Sequence, residues 1–303
     1  EGGSTAPALH IKRYIGNKWG GKYLRAPDIY WTILEKGKGK LVRLGDIALV
    51  RRGFTTGANE FFYLDEARIK EWGIEEEFLK PVIKSPRECK RILIDPKDLK
   101  YKIFMCHNDK KALRGTAALE YIHWGESQGY HTRPSCRGRA RWWVLGALKP
   151  IYIERSTYNE IHDFTYNEIG VMIDKVMYGI DTQINTNPAN LGICLNSIMT
   201  ALQIEIIGSL GLGEGALFIS VEDSKDKVMV FDIKQASKSF EEIFRRFCFA
   251  ESYSIKEAKN QSERIALDSI IFDALGLTSG ERDAVYEAVI NLVEARLNKA
   301  QNV

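Results

Sequence analysis

No two of the five cysteines (Cys89, Cys106, Cys136, Cys194 and Cys248) form a C-x-x-C pair, and their number is odd. Neither a disulfide framework nor a zinc knuckle is therefore expected, and a reducing, cytoplasmic setting is. The five histidines, His10, His107, His123, His131 and His162, are scattered, without ligand spacing or nearby serine–aspartate partners. That pattern supports no metal site and no nucleophilic triad. Nor is there a basic-then-apolar leader or an unbroken apolar run of membrane-spanning length. The most apolar window, 191–212, is interrupted by Asn196, Ser197, Gln203 and Glu205, so no membrane partner is expected. Internal repeats and low-complexity stretches are also missing.

What is present is enough apolar content, 45% of 303 residues, to bury a substantial core. The charge is unevenly placed. Residues 1–150 carry 29 lysines and arginines against 17 acids, a net +12, whereas residues 151–303 carry 14 against 23, a net −9. A basic half suits a polyanion, and an acidic half suits a scaffold or partner-facing surface. The chain opens on Glu1-Gly2-Gly3-Ser4 without a methionine, which reads as a piece with something upstream.

Patterning gives a mixed α/β (α+β) expectation. Leu41, Leu44, Ile47 and Leu49 lead through a polar loop to a strand at 61–64, and 65–72 reads as a helix ended by Gly73. A further helix is expected over 110–124, with strands at 92–94, 150–153 and 171–178. Asn187 as cap and Pro188 at the first helical position open an apolar helix through Leu191, Cys194, Leu195, Ile198, Met199, Leu202 and Ile206. Residues 216–221 and 228–233 read as a hairpin. Beyond it, Ser239 with Glu242 and Thr278 with Glu281 are capping boxes, and Gly276 ends a helix, giving a C-terminal helical hairpin. The expected organisation is a lead-in segment over 1–40, a strand-rich recognition domain over 41–235 and a helical region over 236–303.

Two loops carry the chemistry of the basic half. The first runs Arg51-Arg52-Gly53-Phe54-Thr55-Thr56-Gly57-Ala58-Asn59. Its glycines permit close backbone approach, while Thr55, Thr56 and Asn59 offer hydrogen bonds, so it reads as a hairpin loop or as a segment lying against a phosphate backbone. The second, from Tyr130 to Trp143, interleaves Arg133, Arg137, Arg139 and Arg141 with aromatics. Arginines there can contact phosphate or guanine edges in bidentate fashion; the paired tryptophans supply flat faces or core. Lys84, Arg87, Lys90 and Arg91 cluster around the 92–94 segment.

Three other motifs are weaker. Gly211, Gly213 and Gly215 follow a helix and precede a strand, the reverse of the order that aims helix amides at a phosphate. Asn187-Pro188-Ala189-Asn190 lacks the second proline and the aromatic of an adenine-gripping Asn-Pro-Pro-Tyr element, and helix capping explains it. Asp232-Ile233-Lys234 has the acid-x-lysine spacing of some metal-dependent nucleases, without an evident partner acid.

Leu44-Gly45-Asp46-Ile47-Ala48, Arg52-Gly53-Phe54-Thr55-Thr56-Gly57-Ala58-Asn59 and Phe61-Phe62 together resemble the start of the target-recognition region of N6-adenine DNA methyltransferases of restriction-modification systems. Lys22-Tyr23-Leu24-Arg25-Ala26-Pro27 is similar to the lead-in that follows their catalytic domain. Lys80-Pro81-Val82-Ile83-Lys84-Ser85, Leu195-Asn196-Ser197 and Gly213-Glu214-Gly215-Ala216 extend the similarity over most of 20–235.

The resemblance implies a recognition domain that holds double-stranded DNA for a catalytic domain. That catalytic domain carries S-adenosylmethionine and Asn-Pro-Pro-Tyr; neither is seen here, so this chain is not expected to bind the cofactor or to methylate alone. Its expected partners are DNA and its own N-terminal methyltransferase domain or a methyltransferase subunit. Arg51, Arg52, Lys84, Arg87 and Arg91 are expected on phosphates, and some of Thr55, Thr56, Asn59, Arg133, Arg137, Arg139 and Arg141 on bases. The alternatives are a specificity subunit bridging separate catalytic chains, and a nuclease using Asp232 and Lys234.

Overall fold

The computed structural model describes residues 25–183, 185, 187–211, 215–235 and 239–301. The fold is mixed α/β, with helices closing the C-terminal end. Its central sheet is antiparallel, in the order Ala48–Arg52, Met177–Thr182, Tyr152–Arg155, Thr165–Tyr166. A second four-stranded sheet runs Tyr63–Leu64, Tyr101–Phe104, Leu79–Ile83, Met172–Ile173, the last pair parallel.

Each sheet anchors its own core. The larger core gathers Ile29, Leu44, Val50, Tyr152 and Ile180 with Leu191 to Ile206 and the C-terminal helices. The smaller one is aromatic and is centred on Phe61, which stacks on Tyr121 at 4.6 Å and packs against Phe104 and Trp142. A third cluster, including Ile83, Ile94, Ile153, Ile173 and Met177, lies between the two sheets.

Two of the chain's crossings between the sheets run side by side. Residues 171–178 are not one strand: Met172–Ile173 ends in the second sheet and Met177–Thr182 begins in the central one. The break is an aspartate turn, in which the Asp174 carboxylate accepts the Val176 N–H at 3.0 Å and its carbonyl accepts the Met177 N–H at 3.0 Å. The other crossing is Gly53-Phe54, where the Phe54 N–H donates to Ile173 O and the Lys175 N–H donates to Phe54 O. A Cβ on Gly53 would meet Asp174 O at 2.2 Å, so this contact tolerates only glycine.

Local capping signals are realised. Asp65 caps Glu66–Trp72 and Gly73 ends it at φ 63°; Asn187 caps Pro188–Asn196. The apolar helix that follows is broken at Ser197, whose side chain accepts the Thr200 N–H and starts Ile198–Ile207 at a 57° bend. No single described helix is long and apolar enough to cross a membrane, and this bent pair lies in the larger core.

Elsewhere tertiary packing overrides the expected elements. The 61–64 strand is instead a helical turn, Asn59–Phe62, followed by Tyr63–Leu64. The expected 110–124 helix starts later, as Ala117–Ser127 capped by Thr116. The 216–233 hairpin does not form: Leu217–Phe218 pairs with Ser209–Leu210 and Thr157–Tyr158, Met229–Phe231 pairs with Leu41–Arg43, and Val221–Lys227 between them is a helix capped by Ser220. Residues 92–94 form only bridges, Leu93 to Tyr166 among them.

Ser262–Leu275 and Ser279–Gln301 are joined through Gly276 at φ 69° and the Thr278–Glu281 capping box. Val285, Val289 and Val293 are fully buried within this chain and Leu297 partly, so the apolar face of the last helix is occupied. Each such valine contributes about 1.5–3 kcal/mol of burial. The Ser239 half of the other expected capping box lies outside the described side chains.

Buried ionic groups tie this helical end to the Ile198–Ile207 helix and to His162 and Asp163. Arg296 donates to both carboxylate oxygens of Glu205, at 3.0 and 2.7 Å, and Glu205 also pairs with His162 at 2.7 Å. Burial pushes the Glu205 carboxyl up, but His162 and Arg296 outweigh it and hold it below the usual range. Arg264 pairs with Asp163 at 2.7 Å, and Tyr286 donates to Asp268 at 2.6 Å.

Candidate nucleic-acid interface

The two loops singled out in the sequence are joined in space. Arg139 crosses to the first loop and donates to Thr55 O at 2.7 Å and Thr56 O at 2.8 Å, and to its own loop at Trp142 O at 3.1 Å. Gly57, at φ 80°, leaves no room for a side chain: a Cβ there would meet Ser135 Cβ at 2.7 Å and Cys136 Sγ at 3.1 Å. Cys136 Sγ reaches Thr56 O at 3.6 Å, and Arg133 pairs with Glu60 at 2.8 Å while lying over the Tyr130 ring. The Arg133 hydrogen bond holds the Glu60 carboxyl below its ordinary range. Glycine, threonine carbonyls and arginine thus serve the joint between loops as well as any ligand.

The other predicted residues divide by what they touch. Thr56 is buried and its hydroxyl donates to Asn59 Oδ1, whereas Thr55 and Asn59 are exposed. Arg51 pairs with Asp181 at 2.8 Å, and Arg52 Nε donates to Lys175 O at 2.8 Å; both remain exposed. Arg137 is exposed, with no side-chain hydrogen bond or ion pair among the described residues, and Arg141 is half-buried. Trp142 and Trp143 are core: Trp142 Nε1 donates to Glu126 at 3.1 Å, and both rings belong to the aromatic cluster.

Lys84 joins this region through aromatics, its ammonium lying 4.3 Å from the Tyr101 ring centre and 4.9 Å from that of Tyr63. The Tyr63 hydroxyl donates to Asp174, and burial followed by that carboxylate pushes its pKa well up. Arg87 and Arg91 stand apart from the joined loops, on an open groove of about 750 Å³ that Lys90 and Arg155 also line. Arg91 pairs with Asp95 at 3.0 Å; Arg87 is exposed.

Sequence reasoning passed over Arg155, Asp174, Lys175 and Asp181. Their neighbours in the chain carry no signal, because each enters the region by strand register or by the crossing between sheets. Asp232 only ends a strand: its carboxylate accepts the Lys234 N–H at 3.1 Å, and no group of three or more His, Cys, Asp or Glu is placed to hold a metal among the described residues. The 211–215 glycine run lies mostly outside the described residues.

Comparisons with known proteins agree on the kind of module. The chain is 27% identical over 144 residues to the type II methyltransferase M.AccI of Acinetobacter calcoaceticus, a stretch covering 44% of this chain and 26% of that protein. Its fold matches the solved type IIG restriction endonuclease BpuSI with a TM-score of 0.63 at 11% identity, over 92% of this chain and 34% of that one. It therefore spans about a quarter of the first and about a third of the second. Residues 16–260 match the family described as the C-terminal domain of the type II methyltransferase M.Eco57I, and with most of its length inside that match the chain belongs to this family of restriction-modification C-terminal domains.

Proposed function

We propose that this chain is the DNA target-recognition part of an adenine-N6 methyltransferase of a restriction-modification system, and that the joined loops are its reading surface. The observation that carries the reading is Arg139 locking the second loop onto the Thr55 and Thr56 carbonyls. Arg52, Thr55, Asn59 and Arg137 are each exposed, and in this reading they make up one preassembled surface. Preassembly matters because loops that must order on binding lose affinity to that ordering.

In this reading Arg51, Arg52 and Lys84 hold phosphates beside the loops, with Arg87 and Arg91 further off. Thr55, Asn59 and Arg137 read base edges, Arg137 by a bidentate contact to guanine and Asn59 through its amide. Arg133 and Arg139 position the loops, Arg133 keeping one face towards solvent. Methyl transfer and S-adenosylmethionine belong to the methyltransferase domain or subunit that is the second partner, in the cytoplasm. BpuSI and M.AccI, a restriction endonuclease and a methyltransferase, support this setting through fold and sequence respectively.

The test is fluorescence anisotropy with a library of duplexes. Selective binding that falls at least tenfold with Arg137→Ala is the expected result. A chain that binds no duplex at low salt, or binds all of them equally with and without Arg137, is not a recognition domain.

A further inference from the structure

The groove lined by Arg87, Lys90, Arg91 and Arg155 is built from three separate parts of the chain. One wall is the 84–91 loop, shaped by the buried Glu88 carboxylate, which accepts the Lys84 and Ser85 N–H groups at 2.7 and 3.2 Å. Adjoining it are Glu251 and Ser252, tied to that loop by Ser252 N–H to Lys90 O at 2.9 Å and by the Arg91–Glu251 bridge. Arg155 closes the end. Its two terminal nitrogens donate to Pro86 O and Cys89 O at 2.9 Å each, and no carboxylate lies in ion-pair range of it among the described residues.

This places an unneutralised guanidinium, half-buried, beside a second one on Arg87. Lys90 and Arg91 are partly matched by Asp98 and Asp95, and Glu251 is the acid on the lining itself. Two enclosed polar atoms of the same lining, Arg155 Nε and Ser252 Oγ, have no hydrogen-bond partner. Buried polar groups are normally satisfied, and the N–H needs an acceptor. Both atoms are enclosed, so Glu251 and Ser252 have to shift slightly before an incoming oxygen reaches them. The charge of Arg155 acts without that shift.

We propose that this groove holds a phosphate group, and that the phosphate is one of the duplex backbone running past the joined loops; in its source, though not in its chemistry, the inference rests on the reading above. Register fixes the spacing. Gly53 donates to Met177 O, and Met177 pairs with Arg155 across the next strand. Two strand spacings put Arg155 roughly 10 Å from the first loop, about three base-pair steps along a duplex. The volume suits a nucleotide-sized stretch of backbone rather than one small ion.

The test uses the 303-residue chain and the exposed double variant Arg87→Gln with Lys90→Gln, which leaves the Arg155 clamp intact. Its log–log salt dependence of duplex binding should flatten by about 1 or more against the parent, most of it from Arg87 because Asp98 already pairs with Lys90, with site preference kept. If the slope is unchanged but millimolar pyrophosphate raises the melting temperature of the parent and not of the variant, the groove takes a free phosphate compound instead of the backbone. If neither the slope nor pyrophosphate distinguishes the two proteins, there is no phosphate site here. Should the parent bind no duplex at all, the recognition reading fails while the pyrophosphate arm still decides the groove. An Arg155→Lys chain that remains folded gives an independent check: it keeps the charge, loses the fork that clamps the loop, and should bind pyrophosphate more weakly.

Discussion

Arg139 donates to the carbonyl oxygen of Thr55 at 2.7 Å, although 84 residues of chain separate them. A motif that reads as ligand-binding in one dimension therefore has a structural member in three. Arg139→Ala removes three charge-assisted bonds to carbonyls, each worth about 1.5–3 kcal/mol before relaxation and water replacement. It should lower the urea midpoint clearly and weaken DNA binding with it. Arg139→Lys should recover little, since one ammonium cannot serve both the Thr55 and Thr56 carbonyls, which take Nη2, and the Trp142 carbonyl, which takes Nη1. Arg137→Ala, by contrast, should leave the unfolding curve unmoved and change binding alone. Equal unfolding midpoints for the Arg139 and Arg137 variants would mean that the loops are not locked together by this side chain.

Gly57 tests the same joint from the other side. An alanine there has to adopt φ near 80° and press its Cβ to 2.7 Å from that of Ser135. Gly57→Ala should destabilise the chain by about 1–3 kcal/mol, combining backbone strain with a forced separation of the loops. Gly115→Ala is the control: its φ is also 80°, but nothing lies within 4 Å of the added carbon. The difference between the two, read by chemical denaturation, isolates the contact with the second loop.

How much of this was legible beforehand depended on the range of the interaction. Asp65, Gly73, Asn187, Pro188, Gly276 and the Thr278–Glu281 pair were readable because a cap is settled by residues a few positions apart. Ser220 and Asp223 offered the same kind of signal for Val221–Lys227, but the apolar runs on either side looked like the arms of a hairpin. Instead of pairing with each other, those arms pair with strands more than fifty residues away, one of them also with Ser209–Leu210. In the candidate site, charge clustering pointed to two loops that the fold joins, while Arg139, Thr56, Trp142 and Trp143 could not be sorted into surface and interior without the fold. Arg155 was invisible for the same reason, since it meets the 86–89 carbonyls only through strand register.

Two buried carboxyls set a pH dependence of stability. Burial raises Glu154 to about 7, against the lowering effect of its hydrogen bonds from Ser224 and Tyr158. Burial likewise raises Asp268 to about 6, despite Arg264 and Tyr286. A carboxyl whose folded value lies above its unfolded one keeps its proton longer in the native state, so its contribution is fully present at low pH and is lost as pH rises through the folded value. These two groups should therefore make the chain less stable at pH 8 than at pH 5, by roughly 3 kcal/mol for Glu154 alone. Glu154→Gln should flatten that part of the urea-midpoint profile between pH 5 and 7. An unaltered profile in the variant would show that Glu154 does not titrate in this window.

On the proposed function, Asn59 and Arg52 separate reading from holding. The Asn59 carbonyl oxygen accepts the Thr56 hydroxyl, which fixes the amide and leaves its NH₂ as the outward donor of an exposed residue. A fixed amide can discriminate among base edges, whereas Arg52, tethered through Nε to Lys175 O, presents its remaining donors to any phosphate. Asn59→Ala should cost about 1–3 kcal/mol of preference between the best duplex and its single-base variants while leaving the salt slope in place. Arg52→Ala should flatten the slope by about 1 and weaken all duplexes alike. Arg51→Ala should do less, because Asp181 already neutralises that guanidinium at 2.8 Å. Competition anisotropy at three or more salt concentrations resolves these effects, and an Asn59→Ala chain that loses affinity uniformly with a flatter slope would move Asn59 from the bases to the backbone.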